Sequence, residues 1–273
     1  MDRIKVCVIG DQTWCADLIK REHSLTTKMN EADVIIFTGG EDVYPGMYNE
    51  EVGQFTSYND ERDYEEESKF KRAKKLKRLL VGVCRGGQFL TIMNGGKLIQ
   101  HVSGHGLAGT HKIFIPSENR HIDITSTHHQ MMWPFNLPEE DYSIIAHAEG
   151  LSSTYLNGYN EEKSIPNNFV EPEIVYYPKT NSLCIQGHPE SMDKNSDAVK
   201  FINLLIDELI EDKSGYVYID NVDEPAPERA VADINYPWGI RFQQARPQRI
   251  PPINWEEFGN MMVADRNDND DLI

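Results

Sequence analysis

Gly82-Val83-Cys84-Arg85-Gly86 has the spacing of a nucleophile elbow, glycine, any residue, nucleophile, any residue, glycine. It sits in LLVGVCRGGQFL, from Leu79 to Leu90, where an apolar run ends at one cysteine and breaks into Arg-Gly-Gly. In such a turn the nucleophile leaves a strand on strained backbone, and the flanking glycines remove side chains that would collide with neighbouring backbone. The helix expected next, Gly87 to Met93, aims its amino terminus at the sulfur and favours the thiolate. The backbone N–H of Arg85, next after the nucleophile, is the natural donor to an oxyanion. Cysteines in strands are most often simply packed, and Cys7 and Cys184 read that way. Flanking glycines have no purpose in an ordinary strand, which sets Cys84 apart.

A thiolate nucleophile needs a base, and the chain has nine histidines. His188, in CIQGHPES, has the best setting: an apolar strand ends at Gln186-Gly187 and a His-Pro-Glu turn follows. Glu190 lies two residues on, close enough for its carboxylate to fix the tautomer of His188 and stabilise its imidazolium. His101 and His105 have no Cys, Asp or Glu beside them at ligand spacing and read as loop histidines, so no metal is expected. The adjacent His128 and His129 point to opposite sides of an extended chain and do not suit a shared ion.

These residues need elements to hold them. Ile4 to Ile9 alternates like a strand and turns at Gly10-Asp11, and Asp33 to Phe37 is a buried strand closed by Thr38-Gly39-Gly40. Thr13 to Arg21 suits a helix between them. Tyr64 to Leu80 reads as a helix with Phe70, Ala73, Leu76 and Leu80 on one face, Glu65, Glu66 and Glu67 in its first turns and basic residues in its last. Leu79 to Val83 is then a strand buried on both faces. Strand, helix, strand with buried strands indicates a parallel sheet covered by helices. From Lys97 to about Cys184 come short strand-like pieces: Ile113 to Ile115, His121 to Ile124, Ser143 to Ala146, Ile174 to Tyr177 and Ser182 to Ile185. Ser196 to Ile210 is an amphipathic helix with Val199, Ile202, Leu205, Ile206 and Leu209 on its apolar side.

Across 273 residues, 39% are hydrophobic and 10% aromatic, enough to bury a large core. The net charge of −17 repels phosphate backbones and speaks against nucleic acid as a partner. The basic run Lys69 to Arg78 reads as a solvated helix face. Four cysteines without metal spacing suit a reducing compartment, and MDRIKVCVIG lacks the apolar core of a signal peptide. No stretch reaches the roughly 20 apolar residues of a membrane span. The expectation is a cytoplasmic protein without a membrane partner.

GVCRGGQ (Gly82 to Gln88), TGGEDVYPGMY (Thr38 to Tyr48), THHQMM (Thr127 to Met132), GHPE (Gly187 to Glu190) and DERDYEEE (Asp60 to Glu67) together resemble the class I (triad) glutamine amidotransferases. Within them they are most similar to the γ-glutamyl-γ-aminobutyrate hydrolase-like branch, also grouped as peptidase C26. The resemblance covers residues 1 to about 210. It implies an α/β fold of the class I glutamine amidotransferase-like, flavodoxin-like kind, a parallel-sheet sandwich with helices on both faces. After Lys213 the composition shifts to proline and charge, so the chain reads as a class I glutamine amidotransferase-like domain at 1–212 and, outside the resemblance, an acidic, proline- and aromatic-containing extension at 213–273.

By that resemblance, Cys84 attacks a γ-glutamyl amide carbonyl, His188 moves the proton and Glu190 orients it. A thioester forms, and water releases glutamate without a cofactor. The oxyanion is held by the N–H groups of Gly40 and Arg85. Gln88 contacts substrate, and the loop of His129, Gln130 and Met131 binds its α-amino and carboxylate ends. Gly87 stands where the family usually carries a larger residue. Three functions compete: hydrolysis of glutamine or a γ-glutamyl amine, delivery of ammonia to a separate synthase, and a silent binding protein. The intact triad argues against the last. No P-loop or synthase domain is found in the sequence, so acceptor chemistry lies on another chain. Trp238, Phe242, Trp255 and Phe258 in the extension must cover something, the domain itself or a protein partner.

Overall fold

A computed structural model describes residues 3–106, 109–152, 154–156, 162–164 and 170–211. Its strands in chain order are β1 (Ile4–Ile9), β2 (His23–Leu25), β3 (Val34–Phe37), β4 (Leu79–Val83), β5 (Lys97–Ile99), β6 (His101–Val102), β7 (Thr110–Ile115), β8 (Arg120–Thr125), β9 (Met131–Trp133), β10 (Ser143–Glu149), β11 (Thr154–Leu156), β12 (Glu162–Ser164), β13 (Val170–Tyr177) and β14 (Ser182–Ile185). The helices are α1 (Asp60–Leu76), α2 (Arg85–Met93) and α3 (Asp197–Glu211). The extension from residue 213 lies outside the described residues.

Nine strands form one sheet in the order β2-β1-β3-β4-β14-β13-β10-β7-β8. The first five run parallel to one another, and the last four continue the sheet antiparallel. The parallel half contains the buried runs Val34 to Phe37 and Leu79 to Val83. The short pieces expected after Lys97 lie within β7, β8, β10, β13 and β14. All but β14 make up the antiparallel half, so the sheet is mixed rather than parallel throughout. Ser182 to Ile185 returns to the centre as β14, between β4 and β13.

Helices cover both faces, as the period of each segment implies. Along β3, Val34 and Ile36 point to one core and Ile35 and Phe37 to the other. The first core receives Ala198, Phe201, Ile202, Leu205, Ile206 and Leu209 of α3, and Val199 is buried on the same helix outside that cluster. The second receives Phe70 and Ala73 of α1 with Phe89, Leu90 and Ile92 of α2. Among the described residues no helix is long and apolar enough to cross a membrane.

Two helix boundaries differ from expectation for local reasons. α1 begins four residues earlier, because the Asn59 side chain accepts from the Arg62 N–H (3.1 Å) as its N-cap. It ends at Leu76 because Lys77 turns left-handed (φ 57°), which frees Leu79 and Leu80 for β4. The segment at Thr13 to Arg21 is only a 3-10 helix, Thr13–Leu18; Gln12 offers it no side-chain cap.

Candidate active site

Cys84 is the hinge between β4 and α2, and it adopts φ 51°, ψ −114°, a conformation that non-glycine residues rarely take. Its neighbours must be glycine. A Cβ on Gly82 would lie 2.4 Å from the Gly86 carbonyl oxygen, and one on Gly86 would lie 2.0 Å from that of Phe37. The Cys84 N–H donates to the Ile185 carbonyl (2.7 Å), tying the elbow to β14. β14 runs parallel to β4, with Val83 opposite Ile185, so both strands release their chains at one edge of the sheet. That register brings the cysteine turn and the His188 turn together.

The His188 N–H donates to Thr125 Oγ1 (2.5 Å), and Glu190 sits on the one-turn 3-10 helix Pro189–Ser191. His188 Nδ1 lies 2.8 Å from Glu190 Oε1, which leaves Nε2 for the thiol. The hydrogen bond with Cys84 and then that with Glu190 raise the imidazole pKa to about 10, against the opposing effect of burial. Gly39 closes over the pair: a Cβ there would fall 3.2 Å from His188 Cε1 and 3.8 Å from Cys84 Cβ. The other thiols are held protonated. Burial, then the charge of Glu190 3.8 Å away, pushes Cys15 up to about 12, and burial raises Cys7 and Cys184 as well.

Gly40, at φ 138°, packs against α1; a Cβ there would meet Arg62 Nη1 at 2.2 Å. Arg62 Nη2 donates to the Gly39 carbonyl (2.9 Å) and its Nε to Glu66 Oε1 (2.9 Å). The second oxygen of Glu66 accepts from Arg85, and Arg85 also pairs with Asp63. Asp63 accepts from the Tyr44 N–H (2.8 Å). One buried network therefore links the Gly39–Gly40 loop to Arg85, the residue that follows Cys84. The Arg85 side chain is spent inside it, under the elbow, and only its backbone N–H is available to a ligand. Glu66, read from the sequence as an acid of the first turns that suits the helix dipole, is buried here. The signal was present: Asp63, Glu66, Phe70 and Ala73 form a single helical stripe, all buried.

Of the residues the resemblance assigns to substrate, Gln88 is buried and its Nε2 donates to the Gln130 carbonyl (3.0 Å). Gln130 is buried too, and its Nε2 donates to Thr56 Oγ1 at 3.4 Å. His129 is half-exposed, with Nε2 3.0 Å from Asp42 Oδ1 and Nδ1 3.1 Å from His101 Nδ1. The side chain of Met131 is sealed in a separate cluster with Ile99, Val102, Trp133 and Tyr155, so only its backbone is left to face a ligand. His105, read as a loop residue, is fully buried beside His111, His128, Glu171 and Glu173. Its partners come from segments far apart in the chain, and spacing along the sequence does not reveal them.

Residues 16–151 match the Peptidase C26 family. The matched segment contains Cys84 and the Gly39–Gly40 loop and ends before His188 and Glu190. A Schizosaccharomyces pombe protein provisionally named a glutamine amidotransferase is 38% identical over 91 residues, 33% of this chain and 35% of its own. A Lactococcus lactis protein provisionally named as glutamine amidotransferase-like is 34% identical over 86 residues, 31% of this chain and 36% of its own. The matches thus span about a third of the length of these relatives. Among solved structures, the glutaminase domain of Trypanosoma brucei CTPS with bound acivicin is similar over 76% of this chain and 93% of its own, at 11% identity and a TM-score of 0.47. The segment that holds the cysteine elbow is thus matched by the Peptidase C26 family model, and it is similar to relatives provisionally named for glutamine amidotransferases.

Proposed function

We propose that the protein hydrolyses γ-glutamyl amides, glutamine or a γ-glutamyl amine, through a γ-glutamyl thioester on Cys84. The observation that carries this reading is the His188 imidazole, hydrogen-bonded to Glu190 on one side and to the Cys84 sulfur on the other. The thiol proton passes to His188 and the sulfur attacks the amide carbonyl. The negative charge on the carbonyl oxygen is met by the N–H groups of Arg85 and Gly40. As the C–N bond breaks, His188 gives its proton to the leaving nitrogen, so ammonia or a neutral amine departs. Water then enters, His188 takes one of its protons, and the thioester opens to glutamate and free thiol. Glu190 keeps the imidazolium oriented. Gln88 and the backbone at Gln130 and Met131, with His129 at the rim, form the side of the site that receives the α-amino and carboxylate ends.

Glutamate release from glutamine and from γ-glutamyl amines by the purified full-length chain tests the reading. Turnover of either substrate is expected, and loss of at least about 10²-fold in His188→Ala. A γ-glutamyl electrophile should modify Cys84 and spare Cys7, Cys15 and Cys184, whose protons burial retains. Wild-type rates in Cys84→Ala would end this reading.

A further inference from the structure

We propose that His105, His111, His128 and Glu173 form a closed structural site for one divalent ion of the zinc class, with Glu171 as the outer carboxylate that orients His105. Three histidine nitrogens from separate segments converge on a single carboxylate oxygen. Glu173 Oε1 lies 3.3 Å from His105 Nδ1, 3.0 Å from His111 Nε2 and 3.7 Å from His128 Nε2. A tetrahedral ion with bonds of about 2.0–2.1 Å separates its ligand atoms by roughly 3.3 Å. One ligand atom each from His105, His111 and Glu173 already lies within 4.8 Å of the others. His128 lies beside His105, ring centroids 4.6 Å apart and planes tilted by 34°, and its Nε2, 3.7 Å from Glu173 Oε1, supplies the fourth ligand.

Two further observations point to a cation. His128 is buried, and neither of its ring nitrogens makes a hydrogen bond among the described residues; His105 Nδ1 and Glu173 Oε2 are likewise without one. Leaving such atoms unpaired in an interior is costly, and coordination turns the imidazole nitrogens into ligands. The remaining nitrogen of His105 is held 2.5 Å from Glu171 Oε2, and the other oxygen of Glu171 accepts from the Ser152 N–H at 3.0 Å. A carboxylate behind a histidine ligand is the outer-sphere arrangement that fixes its tautomer and raises its basicity. Three imidazoles and one carboxylate, without a thiolate, suit zinc or its neighbours rather than magnesium or calcium. Binding sends any proton on these nitrogens to solvent, and because the site is sealed the ion enters as the chain folds.

The test uses the full-length Cys84→Ala protein, so that the catalytic thiol does not compete for metal. It is unfolded with a chelator and refolded with or without Zn2+ or Co2+; after removal of excess ion, bound zinc is counted and bound Co2+ is read by visible absorption. One ion per chain, the intense bands of tetrahedral Co2+ and a higher melting temperature are expected. Glu173→Gln and His128→Gln should abolish stoichiometric binding, and Glu171→Gln should weaken it about 10–100-fold. His147→Gln, in β10, and His129→Gln, at the rim of the active site, should bind as the parent does. A folded parent that binds neither ion, or binding that survives both Glu173→Gln and His128→Gln, overturns the proposal. Should those variants fail to fold, X-ray absorption of the zinc-loaded parent decides: fewer than three imidazoles in the coordination shell also overturns it.

Discussion

His188 is the residue on which the proposed chemistry turns, and its protonation has a definite sign. Its pKa is raised from the ordinary histidine value of 6.5 to about 10, by Cys84 first and Glu190 second. The stabilisation from these partners is therefore fully present below about pH 6.5 and is lost as the pH rises through about 10. Catalysis should follow: glutamate release is expected to fall on an alkaline limb near pH 10, where the imidazole no longer supplies a proton to the leaving nitrogen. That limb belongs to the cysteine–histidine pair rather than to either group. In Glu190→Gln the limb should move toward neutral pH while the rate falls less than in His188→Ala. A pH–rate profile of the two variants checks both statements, and a limb unmoved in Glu190→Gln would remove Glu190 from its orienting role. This much was legible in the sequence, because the elbow and the His-Pro-Glu turn are local patterns. Cys15 beside Glu190 was not, since that contact joins residues from opposite ends of the described chain.

At the scale of elements, α1 acts as a brace behind two loops at once. Its first turns hold the Gly39 carbonyl through Arg62 and the Arg85 side chain through Asp63 and Glu66. Arg62→Ala is expected to lower kcat by up to about 10²-fold with little change in KM, because it loosens the donor position at Gly40 rather than the binding of substrate. Its thermal unfolding should shift only slightly, since Arg62 is partly solvated. A KM effect without a kcat effect would separate Arg62 from the Gly39–Gly40 loop. The sequence placed acids at the start of this helix for its dipole, and Asp60 and Glu61 fit that account. Asp63 and Glu66 instead follow the apolar stripe inward to meet Arg85. A helical wheel shows the stripe, but the buried cation that justifies it comes from the next strand–helix turn. The His105 cluster was less legible still. The one local sign is a pair of acids two apart, Glu171 and Glu173, in an otherwise buried strand.

For the whole molecule, the parallel half of the sheet was readable from apolar runs bounded by turns, and α3 from its period. The antiparallel half was not, because short strands carry no record of their partners. We propose the division at residue 212 as a true domain boundary, because among the described residues α3 already covers its face of the sheet by Glu211. A chain ending at Lys213 should keep its melting temperature and its γ-glutamyl hydrolysis, and a large fall in either, read by thermal unfolding and by glutamate release, would make the extension part of the fold. The position of β14 bears on how the protein is made. It is the last strand described in the chain, yet it occupies the centre of the sheet, and it carries His188 and Glu190 on the turn that follows. On the ribosome, β4 and its thiol emerge long before their neighbour exists. A nascent or stalled chain therefore exposes a cysteine with no base beside it. On the proposed mechanism, the Cys84 thiol gains its base only when this late, non-local strand slots in, a slow step by its topology. Docking of β14 is thus, on the proposed mechanism, the safeguard against a reactive thiol working before the site around it is closed.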